Sequence, residues 1–306
     1  MLWPRSSIRS LHSAVPDIRP LVDAWCAQES IARPPDALIA DFYVPMASWI
    51  ADHVVDGTVA VGLSGAQGTG KSSLARLLKA VLEREFRLRV AILSLDDLYL
   101  DGATRLQRAE TYHPLLVTRG VPGTHDVHLG IDALRALRGG ETVSLPRFDK
   151  ATDEPLPRFQ WPIWNGPCDV VLFEGWCVGA RPQRQRELDD PINGLERLED
   201  STGEWRWYVN RQLGGAYQTL FSELDLLVLL RPPDFEHVYA WREAQEAQLR
   251  ATRDDPGVLS PTAVRRFVMH FERITRFIWL EMPDRADALV MLGDDHLPED
   301  VTLGDA

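Results

Sequence analysis

The sequence predicts an α/β protein: a parallel sheet with helices on both faces. Three observations carry that reading. Short apolar, β-branched runs recur along the chain, helical stretches separate them, and a glycine-rich turn joins the first run to the first helix. The runs are 58–64, 89–95, 169–174, 224–230 and 288–292, so five parallel strands are expected. The helical stretches lie at about 71–84, 127–138, 205–222, 234–251 and 262–281. In the first of them Leu74, Leu77, Leu78, Val81 and Leu82 share one side, as a helix laid on a sheet requires.

Composition narrows the class. With 306 residues, 45% hydrophobic and 25% charged, the chain is globular and long enough for two domains or for one large α/β domain with additions. It has no apolar run of the roughly 18 residues a membrane helix needs, and no apolar leader follows Met1. A net charge of −12 suits nonspecific binding to a nucleic-acid backbone poorly, while leaving room for a local positive pocket. Cys26, Cys168 and Cys177 form no CxxC pair, which fits a reducing compartment, and a cytoplasmic location is expected. Only Lys71, Lys79 and Lys150 among the 33 basic residues are lysines, so each is slightly informative where a compact ammonium matters.

Residues 1–56 read as a helical extension ahead of a domain spanning 57–306. Pro34 and Pro35 break the chain, Asp36 is expected to cap a helix, and Leu38, Phe42, Met46 and Trp49 form its apolar stripe. Pro45 inside that stripe predicts a kink or two short helices. The stretch 147–167 reads as a proline-rich loop whose Trp161 and Trp164 either pack or wall a pocket.

Gly65-Ala-Gln-Gly-Thr-Gly70-Lys71-Ser72 matches G-x-x-x-x-G-K-[ST], a pattern that composition would place by chance in roughly one such chain per thousand. It lies between a strand and a helix, where a phosphate loop belongs. The backbone of Gly65, Ala66, Gln67, Gly68, Thr69 and Gly70 would cradle phosphate oxygens, helped by the helix N-terminus. Lys71 would reach the outer phosphates, Ser72 would hold Mg²⁺, and Ser73 would serve the α-phosphate side. No N-K-x-D guanine signature and no second signature of transport ATPases is present.

The remaining chemistry sits at strand ends, where open α/β sheets bind ligands. Asp96 and Asp97 follow the second strand. One of them would align or deprotonate an acceptor hydroxyl, and Asp96 would also influence the metal; a helix cap is the plainer role for the pair. Glu174 ends the third strand, where a carboxylate holds Mg²⁺ directly or through water. Arg242, with Arg250 and Arg253, lies in an expected lid over about 234–256. Arg119, His125 and Asp126 in one loop, and Arg147 and Lys150 in another, would face an anionic acceptor. His125 and His128 alone do not make a metal site.

Six segments then carry a resemblance. They are Gly62-Leu-Ser-Gly-Ala-Gln-Gly-Thr-Gly-Lys-Ser-Ser73, Leu93-Ser-Leu-Asp-Asp-Leu-Tyr-Leu100, Arg119-Gly-Val-Pro-Gly-Thr-His-Asp126, Leu145-Pro-Arg-Phe-Asp-Lys150, Leu172-Phe-Glu-Gly-Trp176 and Val238-Tyr-Ala-Trp-Arg-Glu-Ala-Gln-Glu246. In this order they resemble the D-glycerate 3-kinase family, among the P-loop kinases related to phosphoribulokinase, uridine kinase and pantothenate kinase. The resemblance covers about 58–292. It implies the kinase-type strand order, ATP and Mg²⁺ as cosubstrate and cofactor, and transfer of the γ-phosphate to the 3-hydroxyl of D-glycerate. It implies that Asp96 acts as base and that Asp97, Tyr99 and Trp176 join the acceptor side. Leu98, Asp149 and Ala240 depart from the family pattern. Asp149 would repel an anionic acceptor unless Arg147 or Lys150 pairs it. Two other readings stand beside this one: a related kinase for a nucleoside or pantothenate-like alcohol, and an ATP-binding regulatory protein.

Overall fold

The computed structural model describes residues 2–4, 17–252 and 260–304, the side chains of 248–252 excepted. Five strands run parallel: β1 (Val59–Gly65), β2 (Val90–Ser94), β3 (Val170–Gly175), β4 (Leu226–Arg231) and β5 (Ala288–Leu292), in the spatial order β2-β3-β1-β4-β5. The chain's first strand therefore lies at the centre, with its phosphate loop at the middle of the carboxyl edge.

The expectation of five strands is one short. A sixth, β6 (Pro298–Leu303), pairs antiparallel with β5 at the sheet edge. It buries only Pro298 and Val301 and carries two acids, so it lacks the continuous apolar run of a central strand. Pro298 is tolerated because an edge strand has one unpaired side.

Alternating strand residues feed two cores. Val61, Leu63, Leu172 and Val228 face α3 (Lys71–Glu85), while Phe173 and Leu229 face the opposite layer. That layer contains α5 (Val127–Gly139), α6 (Glu204–Leu213) and α9 (Pro261–Glu281), with α4 (Gly102–Thr111) and α7 (Ala216–Phe221) at its margin and α8 (Phe235–Thr252) packed on α9. The expected helix over 205–222 is two helices, because Gly214 and Gly215 interrupt it. Helix α4 went unforeseen: its only buried residues are Arg105 and Ala109, which make no apolar stripe.

The N-terminal segment shares the first core. It comprises α1 (Arg19–Glu29), a helical turn at Asp36–Leu38 and α2 (Val44–Asp52). Phe42, Trp49 and Ile50 are buried with Val61, Leu172 and Val228, each such side chain contributing about 1.5–3 kcal/mol. Trp3 closes the cluster, its ring centroid 5.3 Å from that of Trp49 and 6.0 Å from that of Phe42. Asp36 is not the cap expected of it. Pro35 occupies that position, and Asp36, inside the first turn, pairs with Arg33 at 2.6 Å. The break expected at Pro45 takes the form of a π-helical segment, Ile39–Tyr43, that leads into α2. The loop 147–167 takes part in two short antiparallel ribbon pairings: Phe148–Asp149 with Glu154–Pro155 inside it, and Ile163–Trp164 with Val143–Ser144 ahead of it. Trp161 and Trp164 pack there and donate to the carbonyls of Leu156 and Gly166.

Candidate active site

The loop after β1 is shaped by its glycines. Gly68 and Gly70 have φ of +84° and +76°, the left-handed region that a side chain resists. A Cβ on Gly68 would lie 2.7 Å from Trp241 Cβ, so α8 rests directly on the loop. Thr69 donates its hydroxyl to the Ala66 carbonyl at 2.9 Å and closes the turn. Helix α3 then begins at Lys71 with no side-chain cap, leaving its first N–H groups and dipole turned to the cavity. The Lys71 ammonium has no hydrogen-bond or ion-pair partner among the described residues.

Sheet register sets the carboxylates. Glu174 on β3 lies opposite Ser94 on β2, and its Oε1 accepts from Ser94 Oγ at 2.6 Å and Ser72 Oγ at 3.0 Å. Glu174 is only 5% exposed, and its Oε2 has no partner among the described residues. Hard oxygens from Ser72 and Glu174, meeting beside the phosphate loop, are the donor set Mg²⁺ takes.

The two aspartates after β2 differ sharply. Asp97 is tied to the ribbon: its Oδ1 accepts from Phe148 N at 3.1 Å and its Oδ2 from Arg147 at 3.3 Å. Burial raises its carboxyl above the ordinary range, against the pull of Arg147. Asp96 faces the cavity, where Lys150 Nζ reaches its Oδ2 at 2.7 Å and the Tyr99 hydroxyl its Oδ1 at 2.7 Å. Burial alone would raise Asp96 too, but the charges of Lys150 and Lys71 and these hydrogen bonds hold it well below the usual carboxylate range. Neighbouring carboxyls pushed in opposite directions mark different tasks.

Around them lies a second layer. Burial pushes the Tyr99 phenol well above its ordinary value, so it remains a donor to Asp96. His125 stacks on Tyr99 with centroids 4.7 Å apart, and burial pulls it down to about 3, so the ring is neutral. Its Nδ1 lies 2.6 Å from the Tyr217 hydroxyl, while its buried Nε2 has no partner. Arg119 lies over the rings of Phe148 and Tyr99 and pairs with Asp153.

Two residues expected on the acceptor side have other duties. Asp126 is exposed and caps α5, accepting from Leu129 N at 3.1 Å. Trp176 is buried against Phe271 and donates Nε1 to the Gly120 carbonyl at 2.8 Å, which steadies the loop of Arg119. Asp149, the departure expected to repel an anionic acceptor, binds its own turn through Ala151 N and Thr152 Oγ1 and is paired by neither Arg147 nor Lys150, which go to Asp97 and Asp96.

A cavity of about 820 Å³ unites the phosphate loop from Gln67 to Leu74, Asp96, Lys150 and Arg242. Arg242 donates to Gln245 at 2.7 Å, pairs with Glu246 and covers the Phe267 ring. The side chain of Arg250 and all of Arg253 lie outside the described residues. Another wall is the N-terminal segment at Trp25, Glu29 and Ile31 to Pro34. Here Ser73 is engaged differently than expected. Its hydroxyl donates to Glu29 Oε2 at 2.6 Å, Arg76 binds the same carboxylate at 2.5 Å, and Trp25 Nε1 donates to the Ser73 carbonyl at 2.8 Å. Arg76 holds Glu29 below the ordinary carboxylate range, burial opposes it, and the Ser73 hydroxyl assists.

Sequence reasoning missed Glu29, Ser94, Arg105, Asp153 and Tyr217. Ser94 was findable, since it ends β2 two residues before Asp96. The others meet the site only through tertiary folding.

The fold and the site define a P-loop kinase. No family model matches the chain. An uncharacterized kinase of Schizosaccharomyces pombe, mug58, is 37% identical over 220 residues, which span 69% of this chain and 77% of that protein. The chloroplastic D-glycerate 3-kinase of Arabidopsis thaliana is 27% identical over 259 residues, 78% of this chain and 54% of that longer protein. In fold the chain matches the D-glycerate 3-kinase structure from Cryptococcus neoformans with a TM-score of 0.73 at 24% identity, covering 85% of this chain and 98% of the other. The chain belongs to the P-loop kinase family that includes the fission-yeast kinase and the D-glycerate 3-kinases.

Proposed function

We propose that the protein transfers the γ-phosphoryl group of Mg·ATP to the 3-hydroxyl of D-glycerate, giving 3-phosphoglycerate and ADP. One observation supports the acceptor's charge. Near Asp96, Lys150 and Arg147 are each matched by an aspartate, but Arg105 and Arg119 share the single carboxylate of Asp153. This surplus guanidinium suits a small alcohol bearing a carboxylate and is wasted on a neutral one. Two relatives carrying the name D-glycerate 3-kinase point the same way.

The chemistry follows from the side chains. The loop from Gly65 to Gly70, the N-terminus of α3 and Lys71 hold the phosphates, with Arg242 beside them on α8. Ser72 and Glu174 would hold Mg²⁺, which when bound neutralises charge on the phosphate oxygens. The acceptor's 3-oxygen forms the new bond to phosphorus as the bond to the bridging oxygen of ADP breaks, and its proton passes to Asp96. A carboxylate held this far below its ordinary range is a weak base. It suffices because phosphoryl transfer has a loose transition state, in which the hydroxyl is acidified late. Asp96 therefore chiefly orients the hydroxyl. Lys150 spends one N–H on Asp96 and offers the others to the acceptor's carboxylate, along with Arg119. The three buried, unpaired cysteines fit the reducing cytoplasm.

An acceptor panel tests this reading. With Mg·ATP, D-glycerate should outpace glycerol by at least about tenfold, the scale of one lost charge-assisted hydrogen bond. Uridine or glycerol turning over as fast as D-glycerate would overturn the assignment. Pantothenate, another carboxylated alcohol, is the arm that separates acceptor charge from acceptor size.

A further inference from the structure

Arg119 is held by one edge only. Its Nη1 donates to Asp153, its guanidinium carbon lies 5.6 and 6.0 Å from the Phe148 and Tyr99 ring centroids, and its Nε and Nη2 have no partner among the described residues. What fixes the held edge is a second arginine. Arg105, on α4, is 2% exposed and commits both terminal nitrogens to Asp153: Nη2 to Oδ2 at 2.5 Å and to the main-chain oxygen at 3.2 Å, Nη1 to Oδ1 at 3.2 Å. A buried guanidinium cannot cheaply be left without a counter-charge, so Asp153 stays with Arg105.

The backbone is bent to permit this. Asp153 has φ of +59°, in the left-handed region that non-glycine residues rarely occupy. The next residue, Glu154, accepts from Gly102 N at 3.2 Å, tying the same turn to the start of α4. Ribbon tip, α4 and the Arg119 loop thus meet at one carboxylate.

We infer that Arg105 and Asp153 are positioning residues for the acceptor: through Asp153 they hold Arg119 over Tyr99, so that its outer edge takes the acceptor's carboxylate bidentately. Tyr99 sets the measure, with its ring beneath Arg119 and its hydroxyl 2.7 Å from Asp96 Oδ1. The acid group and the reacting hydroxyl of a short carboxylated alcohol are thereby fixed relative to each other across one side chain. This rests on the reading of the acceptor given above.

The test is Asp153→Asn, which preserves shape and removes the charge, with D-glycerate and ATP varied separately. The KM for D-glycerate should rise at least about tenfold, for one weakened charge-assisted contact, while the KM for ATP stays within about twofold and kcat falls less than KM rises. Asp153→Glu should recover part of the loss. Arg119→Lys should raise the same KM, and adding Asp153→Asn to it should cost little more, because both act through one contact. An unchanged D-glycerate KM overturns the inference. So does a lowered one, which would make Asp153 an occupant of the acceptor's place. Equal losses for both substrates alongside a fall in Tm would show a merely structural role and also overturn it. A wild-type enzyme that ignores D-glycerate but phosphorylates a neutral alcohol removes the acceptor reading and this inference together; a wild-type enzyme active on D-glycerate with an unaffected Asp153→Asn removes this inference alone.

Discussion

Replacing Lys150 with methionine separates the stability of the site from its chemistry. Lys150 Nζ lies 2.7 Å from Asp96 Oδ2, but its side chain is 61% exposed. An ion pair this open to solvent is worth about 0–1 kcal/mol, so Lys150→Met should move Tm by no more than about 4 °C. The chemical effect should be larger. The acceptor's carboxylate loses a charged donor worth about 1.5–3 kcal/mol, which predicts a rise in the D-glycerate KM of roughly 10- to 150-fold. Asp96 also loses its strongest cation. Its folded-state carboxyl is depressed, so it is ionised throughout the neutral range, and the stability its partners give is lost only as pH falls through that low value. Without Lys150, burial is less opposed, the carboxyl rises, and the acid limb of the kcat profile moves to higher pH. Initial rates against D-glycerate at saturating ATP read the first effect, and the same rates followed down to the lowest pH at which the protein stays folded read the second. An unchanged KM together with an unchanged acid limb would refute the role given to Lys150.

Other perturbations reach the remaining walls of the site. Lys71→Ala should lower turnover at least about a hundredfold, the scale of one transition-state donor, with little change in Tm because its ammonium has no partner among the described residues; near-normal turnover would remove the phosphate-loop assignment. Glu29→Gln should destabilise the fold by about 1 kcal/mol at pH 7, after discounting for the exposure of Arg76. Glu29 is depressed, so that loss should shrink below about pH 4 as the wild-type carboxylate protonates, and Tm measured at both pH values checks the sign. Gly68→Ala meets both a left-handed backbone and Trp241, so it should raise the ATP KM and lower stability by about 1–3 kcal/mol; an ATP titration with wild-type affinity would contradict the packing of α8 on the loop.

Much of this site was legible because its chemistry is local. The phosphate loop needs consecutive residues, and β1 and α3 flank it with patterns that periodicity reads directly. Glu174 and Asp96 were legible because each follows an apolar strand. The misses share the opposite property. Strand β6 hides among acids at an edge, where a single buried face suffices. Helix α4 buries an arginine and an alanine, so no stripe announces it. Glu29 reaches Ser73 across 44 residues and Asp153 reaches Arg105 across 48, distances over which spacing carries no information. Asp126 and Trp176 illustrate the converse: both lie in segments that carry the family resemblance, but one caps a helix and the other braces a loop, so such a segment can hold scaffold as well as site.

The most direct test of the account is ADP release from Mg·ATP by the purified protein, with and without D-glycerate, and with the product identified by phosphorus NMR. The account predicts slow release alone, strong stimulation by D-glycerate, and 3-phosphoglycerate as the product. Hydrolysis that D-glycerate leaves unchanged, or phosphate transferred to the 2-hydroxyl, would contradict it.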